Sequence, residues 1–161
     1  MAQQMTLDPH RLRGQSDLSE QSDIRSQFGA LCWRRRKGGI EVLLVTTRSS
    51  GRWVPPKGWP LPGRSPVEAA AREALEEAGV EGEARDVCLG LYPYIKDIDQ
   101  PESQPCVIAL FPLKVRKVHE DWPERGQRKR KWFTREKAAA QVQEPELQAL
   151  IREFDPDALP G

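Results

Sequence analysis

The sequence predicts an α/β fold in which a mixed β-sheet is sandwiched between helices, and three observations carry that prediction. Apolar, β-branched-rich runs stand both before and after one strongly capped helix that opens at Pro66. From Thr134 onward the pattern changes to helical spacing, so helices close the chain. At 161 residues, with 38% hydrophobic and 30% charged side chains, the chain suits a single soluble globular domain around one core.

The elements follow in order. Residues 1–26 are polar, lack apolar periodicity and mix charges of both signs, which predicts a flexible leader. The folded domain is expected over 27–155, and 156–161 reads as a short tail. Residues 28–33 and 40–47 are apolar strand candidates separated by Lys37-Gly38-Gly39, which predicts a hairpin. Residues 46–57 then lead into the helix. Ser65 is a good N-cap, Pro66 fits the first helical position and Glu68 completes a capping box. Val67, Ala70, Ala71, Ala74 and Ala78 form a narrow face for packing on a sheet, and Gly79 suits a left-handed cap, so the helix spans about 66–78. Residues 87–95 and 106–115 predict two more strands, joined by a polar loop with Lys96, Asp97, Asp99 and Glu102; Pro93 and Pro112 predict an edge position or a bulge in each. After a loop over 119–127 and a basic-aromatic run over 128–133, Thr134 opens a helix over 135–142. A second helix over 146–154 carries Leu147, Leu150, Ile151 and Phe154 at core spacing.

No apolar run is long enough for a signal peptide or a bilayer span, which predicts a cytoplasmic protein without a membrane partner. Cys32, Cys88 and Cys106 are odd in number and lack metal-ligand spacing, so buried free thiols are expected. His10 and His119 are too few and too far apart for a histidine metal site and are expected to be exposed.

The chemistry concentrates on the first helix. At about 100° per residue, Glu73 and Glu77 lie about 40° apart and one turn along, with Glu76 flanking them. Like charges at that spacing destabilise an isolated helix, and acids near its C-terminal end oppose the dipole, so a cation should offset them. A solvated acidic face partly neutralised by Arg72 would explain a bare Glu-x-x-Glu-Glu. A hard divalent ion, which takes carboxylate, phosphate and water oxygens, is the functional alternative. Arg48, Arg52 and Lys57 are brought near these acids by connectivity, which suggests an anionic substrate. The net charge is only +1, yet Arg125, Arg128, Lys129, Arg130 and Lys131 cluster; on a strand, 128 and 130 would share one face. A charged edge strand or a nucleic-acid contact explains that run by itself.

Residues 72–80, with Gly58 before them, resemble the Nudix box of the Nudix hydrolases. That pattern is Gly, five residues, Glu, seven residues, Arg-Glu, an aliphatic, any residue, Glu-Glu, any residue, Gly and an aliphatic. Ala74 is a small occupant of the first aliphatic slot. The chain departs at Arg64, where the family has a Glu that pairs with the box arginine, here Arg72; Glu68, four residues before Arg72, is the candidate substitute. The stretch GALCWRRRKGGIEVLLVTTR, the Arg52-Trp53 step and the run 128–133 are similar to the diphosphoinositol polyphosphate phosphohydrolase branch.

This resemblance implies a Nudix-type α/β/α sandwich and a pyrophosphohydrolase using Mg²⁺, with Mn²⁺ as an alternative. Glu73, Glu76 and Glu77 would bind the metal, and Glu73, Glu76 and Arg72 would serve catalysis. Arg48, Arg52, Lys57, Gly58, Arg128 and Arg130 would contact substrate. The implied substrates are diphosphoinositol polyphosphates, dinucleoside polyphosphates and similar nucleoside diphosphate derivatives. A general base from outside the box is left open among Glu102, Glu120 and Glu124. Two other readings remain: a Nudix-fold module that binds a nucleotide or polyanion without turnover, and action on RNA 5′ ends. Nucleic acid ranks behind a small-molecule partner, and oligomeric state is not legible.

Overall fold

The computed structural model describes residues 24–96 and 104–160; the leader up to residue 23 and the loop residues Asp97, Asp99 and Glu102 lie outside them. Strands β1 (Arg25–Arg36) and β2 (Gly39–Thr46) form the expected antiparallel hairpin, paired from Cys32 with Leu43 to Arg36 with Gly39. Lys37 and Gly38 turn the corner with φ of 51° and 80°, as a two-residue type I′ turn requires. The strand starts at Arg25, inside the stretch assigned to the leader, because Arg25 and Ser26 already pair with Cys106 and Val107.

Two short strands follow, β3 (Trp53–Val54) and β4 (Lys57–Gly58), and then helix α1 (Pro66–Glu73). Ser65 and Glu68 close the predicted capping box. The helix does not stay α-helical to its end: Ala74–Ala78 is a π turn, closed by Gly79 in the left-handed conformation at φ 68°. The remaining elements are β5 (Val80–Ala84), β6 (Gly90–Lys96), β7 (Gln104–Val118), β8 (Arg130–Thr134), α2 (Arg135–Gln141), α3 (Pro145–Glu153) and a 3₁₀ turn, Pro156–Ala158. Sequence patterning missed β5, where Val80 and Ala84 do alternate with Glu81 and Glu83, but the run is only five residues long and Gly82 stands at its middle. The stretch read as a tail is also anchored: Leu159 packs on the core and Asp157 pairs with Arg35 at 2.7 Å.

The sheet runs β3-β2-β1-β7-β5, with β4 added to β1, β6 to β7 and β8 to β2. Strand β7 is central, parallel to β1 and antiparallel to β6 and then β5, so the edge expected for Pro112 is corrected. Pro112 sits where β7 passes from β6, paired up to Leu110, to β5, paired from Leu113. Its carbonyl there accepts from the Arg85 N–H of the crossing loop, and the N–H it lacks would have faced the same gap. Pro93 lies on β6, which pairs only with β7.

Helices cover both faces. The predicted small face of α1 is buried at Ala70, Ala74 and Ala78, which contact the sheet around β1. On the other face Trp33 meets Phe154 edge-on at 5.7 Å. Cys32 and Cys106 are buried free thiols, whereas Cys88 is exposed in the loop before β6, contrary to expectation.

Candidate active site

The site begins where the sheet splits. Strand β1 pairs with β2 as far as Cys32, then with β4 at Phe28 and Gly29, while β2 continues against β3 at Val45 and Thr46. The segment 46–58 is wedged between the diverging strands, fixed by the Ala30 N–H to the Pro56 carbonyl at 2.9 Å. This brings Gly58 against α1 so closely that a Cβ built on it would lie 2.3 Å from Glu73 Cδ. Only a glycine leaves that carboxylate its place. A cavity of about 580 Å³ opens there; Glu73, Glu77 and Glu124 form its acidic wall, and Arg48, Lys57 and Arg128 bring cations to it. Gln27, Trp59 and Tyr94, none of them singled out in the sequence, also line it.

Glu73 and Glu77 share a hydrogen bond, and burial together with the Glu77 charge pushes the Glu73 carboxyl up to about 8. Burial also raises Glu77, opposed by Arg128 and Lys57. Its Oε1 accepts from the Lys57 N–H at 3.2 Å and its Oε2 faces Arg128 Nη2 at 3.3 Å. Two carboxyls are therefore held together in a partly dry wall.

The third acid behaves differently. Glu76 is drawn to Arg72 Nε at 3.0 Å and lines a separate outer recess with Arg64, Arg72, Glu73 and Glu124. Glu73 and Glu77 thus form the close pair, and Glu76 stands beside them, ion-paired to Arg72 and sharing the outer recess with Glu73. The substitute role of Glu68 is corrected. Its carboxylate accepts from the Ser65 N–H at 2.9 Å, and the partner of Arg72 is Glu76.

Residues 119–130 clip onto the end of this helix. A helix terminus strands its last carbonyls. Here those of Glu76, Glu77, Ala78 and Gly79 accept from Glu124 N, Trp122 Nε1, Arg130 Nη1 and His119 N at 2.8–3.1 Å. Arg130 also donates to the His119 carbonyl and stacks 3.8 Å from the Trp122 ring. Arg128 is clamped between Glu124 at 2.6 Å, the Thr46 carbonyl at 3.0 Å and Glu77, its side chain 9% exposed. His119 pairs with Glu81 rather than standing free.

Several predicted substrate contacts are therefore committed within the protein. Arg128 reaches the cavity wall but is held by Glu77, Glu124 and the Thr46 carbonyl, Arg130 braces the helix end, and Arg52 pairs with Glu144 at 2.8 Å beneath the Tyr94 ring. Arg52 and Arg130 do not line the cavity; Arg48, Lys57 and Gly58 do. Sequence density could not reveal this, because each guanidinium has at least one partner distant in the chain, Glu144 for Arg52, Thr46 and Glu77 for Arg128, and Ala78 for Arg130. Of the proposed bases, Glu124 lines both recesses, Glu120 is exposed and lines neither, and Glu102 lies outside the described residues.

Among the described residues no three His, Cys, Asp or Glu side chains form a ready-made metal cage. The donor set nevertheless fits a hard divalent ion: Glu73 and Glu77 are adjacent oxygen donors whose charged forms are disfavoured by burial. Magnesium is held by one or two carboxylates plus substrate and water, without a full protein cage.

Comparison with known proteins agrees with the geometry. The NUDIX domain model matches residues 24–157. Nudix hydrolase 12, mitochondrial, of Arabidopsis thaliana is 36% identical over 118 residues, 71% of this chain and 58% of that protein. Diphosphoinositol polyphosphate phosphohydrolase 3-alpha of Mus musculus is 31% identical over 122 residues, 74% of this chain and 70% of that protein. The crystal structure of C. elegans Ap4A hydrolase superposes with a TM-score of 0.58 at 25% identity, covering 81% of this chain and 96% of that one. The chain spans 58–66% of the length of the plant relatives it matches. No helix among the described residues is long and apolar enough to cross a membrane. With the box helix, the split sheet and the match over residues 24–157 together, the chain belongs to the Nudix hydrolase family.

Proposed function

We propose that the chain is a Mg²⁺-dependent pyrophosphohydrolase, able to use Mn²⁺, that cleaves a diphosphate linkage in a highly phosphorylated small molecule. Candidates are a dinucleoside polyphosphate, a related nucleoside diphosphate derivative or a diphosphoinositol polyphosphate. The observation that carries the reading is the pairing of half-buried Glu73 with buried Glu77 on the wall of a cavity that also holds Arg48 and Lys57. When bound, the divalent ion neutralises charge on bridging and leaving phosphate oxygens and acidifies the attacking water. Glu73 and Glu77 hold it, and Gly58 gives Glu73 the room to do so. Arg72 fixes Glu76 beside that pair. Glu124, oriented by Arg128 at 2.6 Å, accepts the proton of the attacking water. Arg48 and Lys57 face the non-reacting phosphates. Three free thiols suit a reducing compartment such as the cytoplasm.

The test is phosphate or nucleotide release from a panel of dinucleoside polyphosphates, diphosphoinositol polyphosphates and nucleoside triphosphates, with and without Mg²⁺. Turnover that requires the metal and vanishes in Glu77→Gln is the expected result. Tight binding without turnover by a folded protein would overturn it in favour of a regulatory binding module. A preference for RNA 5′ ends with a steep salt dependence would instead assign nucleic acid as the substrate.

A further inference from the structure

The cavity contains a polar group that the mechanism leaves idle. Gln27 is 1% exposed, lines the wall with Trp59, Gly58 and Tyr94, and its Oε1 has no hydrogen-bond partner among the described residues. Its neighbours on the same face of β1, Leu31 and Trp33, are apolar core, and it sits opposite Ile108 of β7. An apolar side chain would continue that core with nothing left unpaired. A buried acceptor without a donor is unfavourable, and such local conflicts concentrate at functional sites. The missing donor therefore enters with whatever fills the cavity.

Donor chemistry separates the candidate substrates. Ionised phosphate oxygens only accept hydrogen bonds, so an inositol phosphorylated at every hydroxyl has no donor to offer. A nucleoside has ribose hydroxyls and base N–H groups. Charge points the same way. Arg52 and Arg130 are bound elsewhere and the charge of Arg128 is opposed by Glu77 and Glu124, which leaves the cavity poorly equipped for a ring with phosphate on all sides. Trp59 supplies aromatic surface beside Gln27 instead, while the Tyr94 ring there carries Arg52 and Lys57 against it.

We propose that the Gln27 carboxamide oxygen accepts a hydrogen bond from the non-phosphate part of the substrate, a ribose hydroxyl or a base N–H. In doing so it selects nucleoside polyphosphates over fully phosphorylated cyclitols. The inference rests on the pyrophosphohydrolase reading and narrows its substrate class.

Gln27→Met, which keeps the length of the side chain and removes the acceptor, tests it with two independent readouts. Melting of the substrate-free protein should rise by about 2–4 °C, since an unsatisfied buried group is gone. The kcat/KM for a dinucleoside polyphosphate should fall by about tenfold to a hundredfold, mainly through KM, while that for diphosphoinositol pentakisphosphate stays within about threefold. An equal fall on both substrates would make the amide a phosphate contact and overturn the proposal. So would unchanged kinetics, or a melting temperature that drops. If the wild type turns over neither compound, the pyrophosphohydrolase reading fails by itself. Calorimetric binding of the dinucleoside polyphosphate to wild type and Gln27→Met then decides this inference separately, and an unchanged Kd would overturn it.

Discussion

Replacing Gly58 with alanine separates geometry from stability at this site. The added Cβ would stand 2.3 Å from both Cδ and Oε2 of Glu73 and 2.8 Å from Oε1. Carbon atoms rest at about 3.5–4 Å, so the carboxylate has to retreat by more than about 1 Å. The obstacle is the far end of a side chain, and Gly58 is not among the positive-φ glycines, so the backbone accepts alanine and the fold survives. The site does not absorb the change: magnesium demands oxygen ligands at about 2.0–2.1 Å in near-octahedral array, and a displacement of about 1 Å can cost about a hundredfold in rate. Gly58→Ala should lower kcat/KM by about two orders of magnitude and weaken the response to Mg²⁺, with melting shifted by no more than about 4 °C. Gly38→Ala is the counterpart. At φ +80° with open space around it, alanine there strains the hairpin by about 1–2 kcal/mol and leaves kcat/KM alone. A Gly58→Ala enzyme with kcat/KM within threefold of wild type would refute the assignment of Glu73 to the metal.

Other substitutions sort the charged groups. Because the folded-state value of Glu73 lies above its unfolded value, its contribution is unfavourable to stability as pH rises from about 4.3 through about 8 in the absence of metal. Glu73→Gln should therefore match wild type near pH 5 and exceed it at pH 8.5 by about 1–2 kcal/mol after allowance for partial exposure, as urea unfolding in EDTA would measure. Arg128→Met removes the closest cation of buried Glu77 and of half-buried Glu124 and should cost about 3 kcal/mol of unfolding free energy, whereas Arg48→Ala should raise KM several-fold and leave unfolding unchanged. Arg64→Glu should alter turnover by less than about tenfold, since Arg72 already pairs with Glu76; a gain of several hundredfold in steady-state rate would contradict this.

What was legible in the sequence was local. The capping box at Ser65, the small face of α1 and the left-handed Gly79 are each decided by residues within one or two turns, and each formed as read. The hairpin at Lys37-Gly38 and the cap at Thr134 belong to the same class. The π turn at Ala74–Ala78 has no such signal, because its carbonyls are held by Trp122, Glu124 and Arg130, more than forty residues downstream. Strand β5 was invisible for a related reason. Its pairing with β7 fixes it, across a bulge between Glu81 and Gly82, because two apolar side chains, Val80 and Ala84, around a glycine are too weak a local signal.

The basic run over 128–131 illustrates why charge density alone misleads about ligands. A cluster of like charges in sequence is unfavourable in a folded chain unless each member finds a separate counter-group. Here Arg128 and Arg130 alternate with Lys129 and Lys131 along the strand entry, and the two arginines turn inward to the helix that carries the acids. Their planar, five-donor heads can satisfy two or three carbonyls and carboxylates at once, which an ammonium on a flexible stem does less well. The same arginines that a sequence assigns to substrate phosphates thereby fix the height and rotation of Glu77. Arg48 and Lys57 line the cavity as cations, and Gln27 lines it without charge. That division makes a clear demand on mutagenesis: losses at 128 and 130 should appear in unfolding curves, and losses at 27 and 48 in KM.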